Sequence, residues 1–397
     1  MRLIYIANMR VPTEKAHGLQ IMQNCEALAD TGAEVQLWVP RRRNTPALRA
    51  VGDPWAYYGV RRNFELRRVP CLDFTPPAAE QAGLPARLVF YVQALTFALA
   101  ALALALFARA DVYYSRDRLA LLALSLVKPR RALAYEAHQF SPSRRGRWLE
   151  RLAARRMGTV IAVTPPLADE LVKLGVPVAR VLVAHDGFRR ERFADLPSQA
   201  EARQKIGWPD GLFIVGYVGR LHTMAMDKGV GTLIEALRDV DGAALALVGG
   251  PDEMAAALRD RWLALGLDGA HFLYAGQVES GRVPLYLSAF DVCAMPFPFT
   301  PHFAFFASPL KLFEYMAAGR AIVASDLPGW ADVVQDGQTA LLTPPGDAGA
   351  LAAALTRLRD DPAQRERLGQ QARARALDVY TWDARARAIL RKIAEAT

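Results

Sequence analysis

Between "RVLVAHDGF" (residues 180–188) and "LFIVGYVG" (residues 212–219) the sequence closes one pattern and begins the same pattern again. Each stretch is a buried-strand run. What separates them, "FRRERFADLPSQAEARQKIGWPDG" (188–211), is polar and rich in turn formers. Before this junction, apolar runs of strand length alternate with helical stretches. They are "LIYIA" (3–7), "EVQLWVP" (34–40), "DVYYS" (111–115), "ALAYEAH" (132–138) and "TVIAVT" (159–164). After it come "ALALVGG" (244–250), "HFLYAG" (271–276), "DVCAMP" (291–296), "AIVASDL" (321–327) and "TALLTPPG" (339–346). Continuous rather than alternating apolar strands, each followed by a helix, predict parallel sheets covered on both faces. The α/β fold expected is two doubly wound, Rossmann-like domains. Residues 1–190 form the first, 191–211 a linker and 212–381 the second, with a final helix over 382–397 returning to the first domain.

A chain of 397 residues with 52 % apolar content is long enough for two cores. Its cysteines, Cys25, Cys71 and Cys293, lie far apart and match no metal or disulfide spacing, so a reducing, cytoplasmic setting is expected. "MRLIYIANMR" is too briefly apolar for a signal peptide and reads as a first buried strand.

The net charge of +9 is uneven: residues 1–190 hold 28 Lys and Arg against 15 Asp and Glu, and the remainder 21 against 25. A basic half suits anionic lipid headgroups or phosphorylated acceptors, or is simply a solvated surface. No nucleic-acid module is present, and no nucleic-acid partner is expected. "LVFYVQALTFALAALALALF" (88–107) has the length of a membrane span. It runs straight into "ADVYYSRD", however, and a span there would split one α/β unit. It is expected to be a buried or interfacial helix.

Ligands of doubly wound sheets collect at the carboxyl ends of the strands. The cleft between two such domains is then the default site. "SPLKLFEYMAAG" (308–319) is a short, mostly apolar helix with a serine N-cap at Ser308, proline at the first helical position and a glycine stop. Lys311 in its first turn makes an anion site, and Glu314 one turn on can accept hydroxyl hydrogen bonds. The plainer alternative is a helical ion pair. Strand 212–218 ends in Gly219-Arg220, and Lys228-Gly229 follows. Arginine and lysine together suit one phosphate group.

With "AHGLQ" (16–20), "YEAHQF" (135–140), "AVTPPLADEL" (162–171), "VAHDGF" (183–188) and "YAGQV" (274–278), these motifs resemble the retaining glycosyltransferases of family 4, which have the GT-B fold. The resemblance runs over nearly the whole chain. It implies a nucleotide-sugar donor as co-substrate, a UDP-sugar first and a GDP-sugar second, with no cofactor and no metal. It implies that Arg220 and Lys228 hold the departing diphosphate, that the backbone of Pro309, Leu310 and Lys311 meets the phosphates, and that Glu314 binds the ribose. Gly219, Gly249 and Ser308 complete the nucleotide-sugar set, Val278 lines the base pocket, and Gly18 lets the first loop approach the donor. His138 faces the reacting carbon, and His17 and His185 are acceptor-side candidates. The acceptor itself is not legible: an anionic or lipid-linked molecule is one expectation and a small soluble sugar or an antibiotic-like aglycone an equal one, with the enzyme in the cytoplasm, either free or at the inner face of the membrane.

One departure stands out. The family commonly carries a second glutamate eight residues before Glu314, and here that position is Phe306. The aromatic cluster of Phe303, Phe305 and Phe306 reads as core, with an apolar acceptor site as the alternative. A nucleotide-sugar epimerase of the same architecture and a non-catalytic nucleotide-sugar binder are the alternatives. His271 and His302 read as structural and His222 as a flank of Arg220. "DVD" (239–241) reads as a chance match to a metal motif of another fold, and dinucleotide, P-loop and serine-hydrolase motifs are absent.

Overall fold

The computed structural model describes residues 1–74, 84–140, 143–223 and 226–396. The chain divides into two compact units, Met1–His185 with the C-terminal segment from Trp382, and Asp186–Thr381.

The first unit holds a parallel sheet of β1 (Arg2–Ile6), β2 (Glu34–Pro40), β3 (Glu65–Val69), β4 (Val112–Ser115), β5 (Leu133–Ala137), β6 (Thr159–Ala162) and β7 (Val181–Val183), in the order β3-β2-β1-β4-β5-β6-β7. β1 pairs on both sides, Leu3 with Val35 and with Val112. Its Leu3, Ile4, Tyr5 and Ile6 are buried, as the unbroken apolar run requires. The sequence reading lacks β3, because three of the five residues of "ELRRV" are charged; it is an edge strand whose residues are mostly outside the core.

Helix Leu84–Phe107 packs on helix Arg118–Leu124, and that helix packs on helix Arg144–Arg156. Helix Ala16–Asp30 packs instead on the C-terminal helix Trp382–Ala396. Trp382 Nε1 donates to Gln23 Oε1 (2.8 Å), and Arg385 donates to Asn24 Oδ1 and Glu136 Oε2 (2.9 Å each). Among the described residues, Arg87–Phe107 of the first of these helices is long and apolar enough to cross a membrane. One face of it belongs to the core: Ala94, Phe97, Ala98, Ala101 and Ala105 are buried at helical spacing.

The second unit holds β8 (Phe213–Val218), β11 (Ala243–Val248), β12 (Phe272–Tyr274), β13 (Val292–Met295), β14 (Ala321–Ser325) and β15 (Leu341–Thr343), in the order β12-β11-β8-β13-β14-β15. A two-stranded hairpin, β9 (His222–Thr223) against β10 (Met226–Asp227), stands apart from this sheet. The expected linker 191–211 is corrected by the structure. It folds into the second unit, where Phe193, Ala202 and Arg203 are buried. Arg203 Nη2 donates to Asp291 Oδ2 (2.6 Å), and its Nε donates to the Ala289 carbonyl (2.9 Å). The polar composition that resembles a linker is thus an internally bonded helix, Gln199–Ile206, with a Ser198–Glu201 capping box.

Candidate functional site

In each unit the strand order reverses once, between β1 and β4 and between β8 and β13. Such switch points are where open α/β sheets bind ligands. The candidate residues fall at both.

In the second unit β8 delivers Gly219 and Arg220 at its carboxyl end, β11 delivers Gly249 and β12 delivers Gly276. Backbone bonds lace these ends together: Gly219 N–H to the Val248 carbonyl and Gly249 N–H to the Gly276 carbonyl, 2.7 Å each. Gly249 has φ +133°, and a Cβ there would stand 2.2 Å from the Gly219 carbonyl oxygen. Only glycine allows that approach. Gly229 is tighter still. At φ +78° its backbone lies so close to the end of β13 that a Cβ would sit 1.7 Å from the Pro296 carbonyl oxygen. Its N–H donates to Asp227 Oδ2 (2.8 Å). This turn fixes the position of Lys228.

Three cations gather here. The Lys228 and Lys311 ammonium groups lie over the same ring, Phe297, at 5.8 and 5.2 Å from its centroid. Lys311 also lies over Tyr217 and donates to its hydroxyl (2.5 Å), and that hydroxyl in turn donates to the Arg220 carbonyl (2.9 Å). Burial, with Arg220 second, lowers the Lys228 ammonium to about 8. Burial and then Lys228 hold Lys311 well below the usual lysine range. Among the described residues no carboxylate is in salt-bridge contact with Arg220, Lys228 or Lys311. A partly dry cluster of like charges is unfavourable until an anion enters.

Glu314 lies one turn beyond Lys311, half-buried in helix Leu310–Ala317. Burial raises its carboxyl to about 7 against the opposing pull of Arg192 and Lys311. The simple helical ion pair between Lys311 and Glu314 is not formed. Ser308 is corrected too. Pro309 occupies the N-cap position with no side-chain bond, and Ser308 Oγ instead accepts from the Asp186 N–H (2.9 Å). The first-turn amides of this helix therefore lack a side-chain cap. Pro309, Leu310 and Lys311 are all half-buried beside it, and Val278 packs partly buried against the core after β12. Phe306 ends a single π-helical turn, His302–Phe306. Phe303 is core, as expected, whereas Phe305 and Phe306 are only half-buried.

In the first unit a cavity of about 790 Å³ opens at the ends of β1 and β4. Asn8, Met9, His17, Tyr91, Arg116 and Arg145 are among the residues that line it. His17 is held to about 4 by burial, with Arg116 and Lys15 adding to the effect. His185 is not among the walls; it is buried, and its carbonyl accepts from Arg385 Nε (2.9 Å). His138 follows β5 and hydrogen-bonds Glu136 through Nε2. Glu136 is buried in a strand of otherwise apolar or aromatic residues, and it also meets Tyr114, Arg385 and, at 3.9 Å, Arg116. Burial alone would raise this carboxyl; Arg385, then His138 and Arg116, override it and hold it well below the usual range. Burial and Arg116 lower the His138 imidazole to about 4. A neutral imidazole beside a carboxylate donates through the shared nitrogen, so His138 is oriented by Glu136. Gly18 is buried in helix Ala16–Asp30, and the space a Cβ would take is filled by Thr13 and the Tyr58 hydroxyl, at 2.5 and 2.6 Å.

The sequence reading missed Glu136, Arg116, Arg385, Tyr217 and Phe297. Glu136 carried a usable signal, a lone carboxylate inside a buried strand. Arg385 carried none, since its partner lies 249 residues away.

The family comparisons agree with this division of the chain. Residues 213–361 match the model for glycosyl transferases group 1, and residues 17–187 match a glycosyl transferase 4-like domain. Among curated relatives, a lipopolysaccharide core biosynthesis glycosyltransferase, LpsD, of Rhizobium meliloti is 31 % identical over 60 % of this chain and 64 % of its own length. A phosphatidyl-myo-inositol mannosyltransferase of Mycobacterium leprae is 35 % identical over 50 % of each chain. The matches thus span about half to two thirds of these relatives. The structure of Anabaena HepE in complex with UDP superposes over the full length of both chains, with TM-score 0.73 and 19 % identity. The chain belongs to the family 4 glycosyltransferases, built from the two Rossmann-like units of the GT-B fold.

Proposed function

We propose that the chain transfers a sugar from a nucleoside-diphosphate donor to an acceptor with retention of anomeric configuration, using a UDP-sugar before a GDP-sugar. The observation that carries this reading is the Arg220–Lys228–Lys311 cluster at the end of β8, where burial and then a neighbouring cation push the Lys228 and Lys311 ammonium groups toward the neutral form. Breaking a sugar–diphosphate bond builds negative charge on the departing phosphate. Fixed donors aimed at such charge contribute roughly 3–4 kcal/mol each. In this reading the cluster takes the diphosphate, the uncapped amides of Leu310 and Lys311 add N–H donors, and Glu314 accepts from the ribose hydroxyls. No metal is invoked, since the cations do its work. His138, kept neutral and aimed by Glu136, faces the sugar, and His17 with the cavity at β1 and β4 serves the acceptor. The place of action proposed is the cytoplasm, where Cys25, Cys71 and Cys293 stay reduced.

The test is direct. Incubation with a panel of UDP- and GDP-sugars, each with a set of hydroxyl acceptors (phosphorylated and plain sugars and lipid-linked sugars), should release one nucleoside diphosphate as its sugar passes to an acceptor oxygen. Proton NMR of the product should show the donor's anomeric configuration. An inverted product would exclude the retaining route. A second reading, a nucleotide-sugar binder without turnover, is favoured by Phe306 alone, which puts a ring where a carboxylate would hold sugar hydroxyls. Saturable donor binding with no nucleotide release from any sugar would select it.

A further inference from the structure

We propose that the first unit docks on an anionic lipid bilayer through helices Leu84–Phe107 and Arg144–Arg156, lying in the interface and not crossing it. The inference does not rest on the transferase reading. The outer face of Leu84–Phe107 is apolar and uncovered: Leu88, Leu95, Leu99 and Phe107 are 66, 54, 52 and 89 % exposed, and Tyr91 and Leu106 continue the same stripe. Soluble surfaces rarely leave so long an apolar strip open. The opposite face is built into the core through Phe97, Ala98, Ala101 and Ala105, and the chain passes on to β4 near the middle of the sheet. The helix cannot leave the sheet to span a membrane without unmaking that core.

Charge says what covers the strip. The helix RRGRWLERLAARR, Arg144–Arg156, runs alongside, with helix Arg118–Leu124 between. At one end Tyr91 and Arg145 wall the same cavity, and at the other Arg156 Nη1 donates to Ser125 Oγ (3.3 Å). Its only acid, Glu150, is turned inward to Tyr135 and Arg118, so Arg144, Arg147, Arg151 and Arg155 meet solvent unopposed by their own helix. Trp148 stands exposed among them, and Leu126 and Val127 are exposed beside them. An apolar face, a basic flank and an interfacial tryptophan are the three elements of an interfacial helix layer on anionic lipid. A second copy of the chain offers no counter-charge, since a two-fold contact would present the same arginines.

The test is flotation of the full-length protein with phosphatidylcholine vesicles and with mixed phosphatidylcholine–phosphatidylglycerol vesicles. Wild type should float with the mixed vesicles and lose binding as salt shortens the Debye length from about 10 Å to about 3 Å. L95Q/L99Q should weaken binding by at least about ten-fold, while L95F/L99F should keep it. R147Q/R151Q should weaken binding to mixed vesicles by roughly thirty-fold and leave neutral vesicles unchanged. All four positions are exposed, so each variant should melt like wild type. Wild type that stays in solution with mixed vesicles overturns the proposal, as do variants that float like wild type. So does a dimer in sedimentation velocity that L95Q/L99Q returns to monomer.

Discussion

Lys228 and Glu314 carry the account at the scale of single residues, and both titrate in reach of ordinary buffers. The folded-state value of Lys228, about 8, lies below its unfolded value of roughly 10.4. Its contribution to stability is therefore present above about 10.4 and lost as pH falls through 8: the unfolded chain holds a proton the folded chain has shed. Denaturant unfolding of the free protein should show stability rising from pH 8 toward 10, and Lys228→Met should flatten part of that rise. Lys311, shifted in the same direction, keeps the remainder. An incoming diphosphate reverses the penalty, so UDP binding near pH 8 should take up protons, read as a dependence of calorimetric heat on buffer ionisation enthalpy. Glu314 runs the other way. Its folded value, about 7, lies above the unfolded one of roughly 4.3, so its contribution is present below 4.3 and lost as pH rises through 7. Glu314→Gln should remove that loss and weaken UDP binding. Both residues were legible because a charge in an apolar helix, or next to a glycine a few residues past a buried strand, is conspicuous. Ser308 misled because serine before proline is a strong cap signal, and only the fold shows its hydroxyl engaged by the Asp186 amide.

Among the elements, the turn at Gly229 and the C-terminal helix have the sharpest consequences. Gly229→Ala would place its Cβ 1.7 Å from the Pro296 carbonyl oxygen, in a backbone region that itself costs roughly 1–2 kcal/mol for an L-residue. The variant should lose more than about 2 kcal/mol in urea unfolding and bind UDP more weakly than its residual stability explains, because Lys228 moves with the turn. Arg385→Ala removes the only cation within hydrogen-bond distance of the buried Glu136 among the described residues, and an uncompensated buried charge costs about 3–5 kcal/mol. Arg385→Ala with Glu136→Gln should recover part of that loss; a double variant no better than the single would show that the ion pair is not the source. The parallel strands were legible since both faces are buried and the runs are uninterrupted. β3, the hairpin β9–β10 and the helix at 199–206 were not, because edge strands, two-residue strands and surface helices lack that apolar signature.

At the scale of the whole molecule, the sequence repeats one architecture and divides its charge. The repeat is why the fold was readable: each unit places a strand-order reversal in its sheet, and the unusual residues sit at the strand ends beside it. The site was only partly readable. Arg220, Lys228, Lys311 and Glu314 lie within about a hundred residues of one another in sequence and share one unit. The Glu136–Arg385 link that orients His138 joins distant parts of the chain, and no local pattern announces it. The surplus of Lys and Arg in residues 1–190 has a location as well, concentrated in part on one arginine helix beside an apolar one. The central claim is that the end of β8 is a nucleoside-diphosphate site. It is tested most directly by thermal unfolding of wild type and Lys228→Ala with UDP, GDP, ADP and dTDP. One nucleotide should raise the wild-type midpoint, with a gain of about 2.7 kcal/mol when it is present at 100 times its Kd, and the gain should shrink in Lys228→Ala. No rise with any nucleotide, or an equal rise in the variant, would contradict the account.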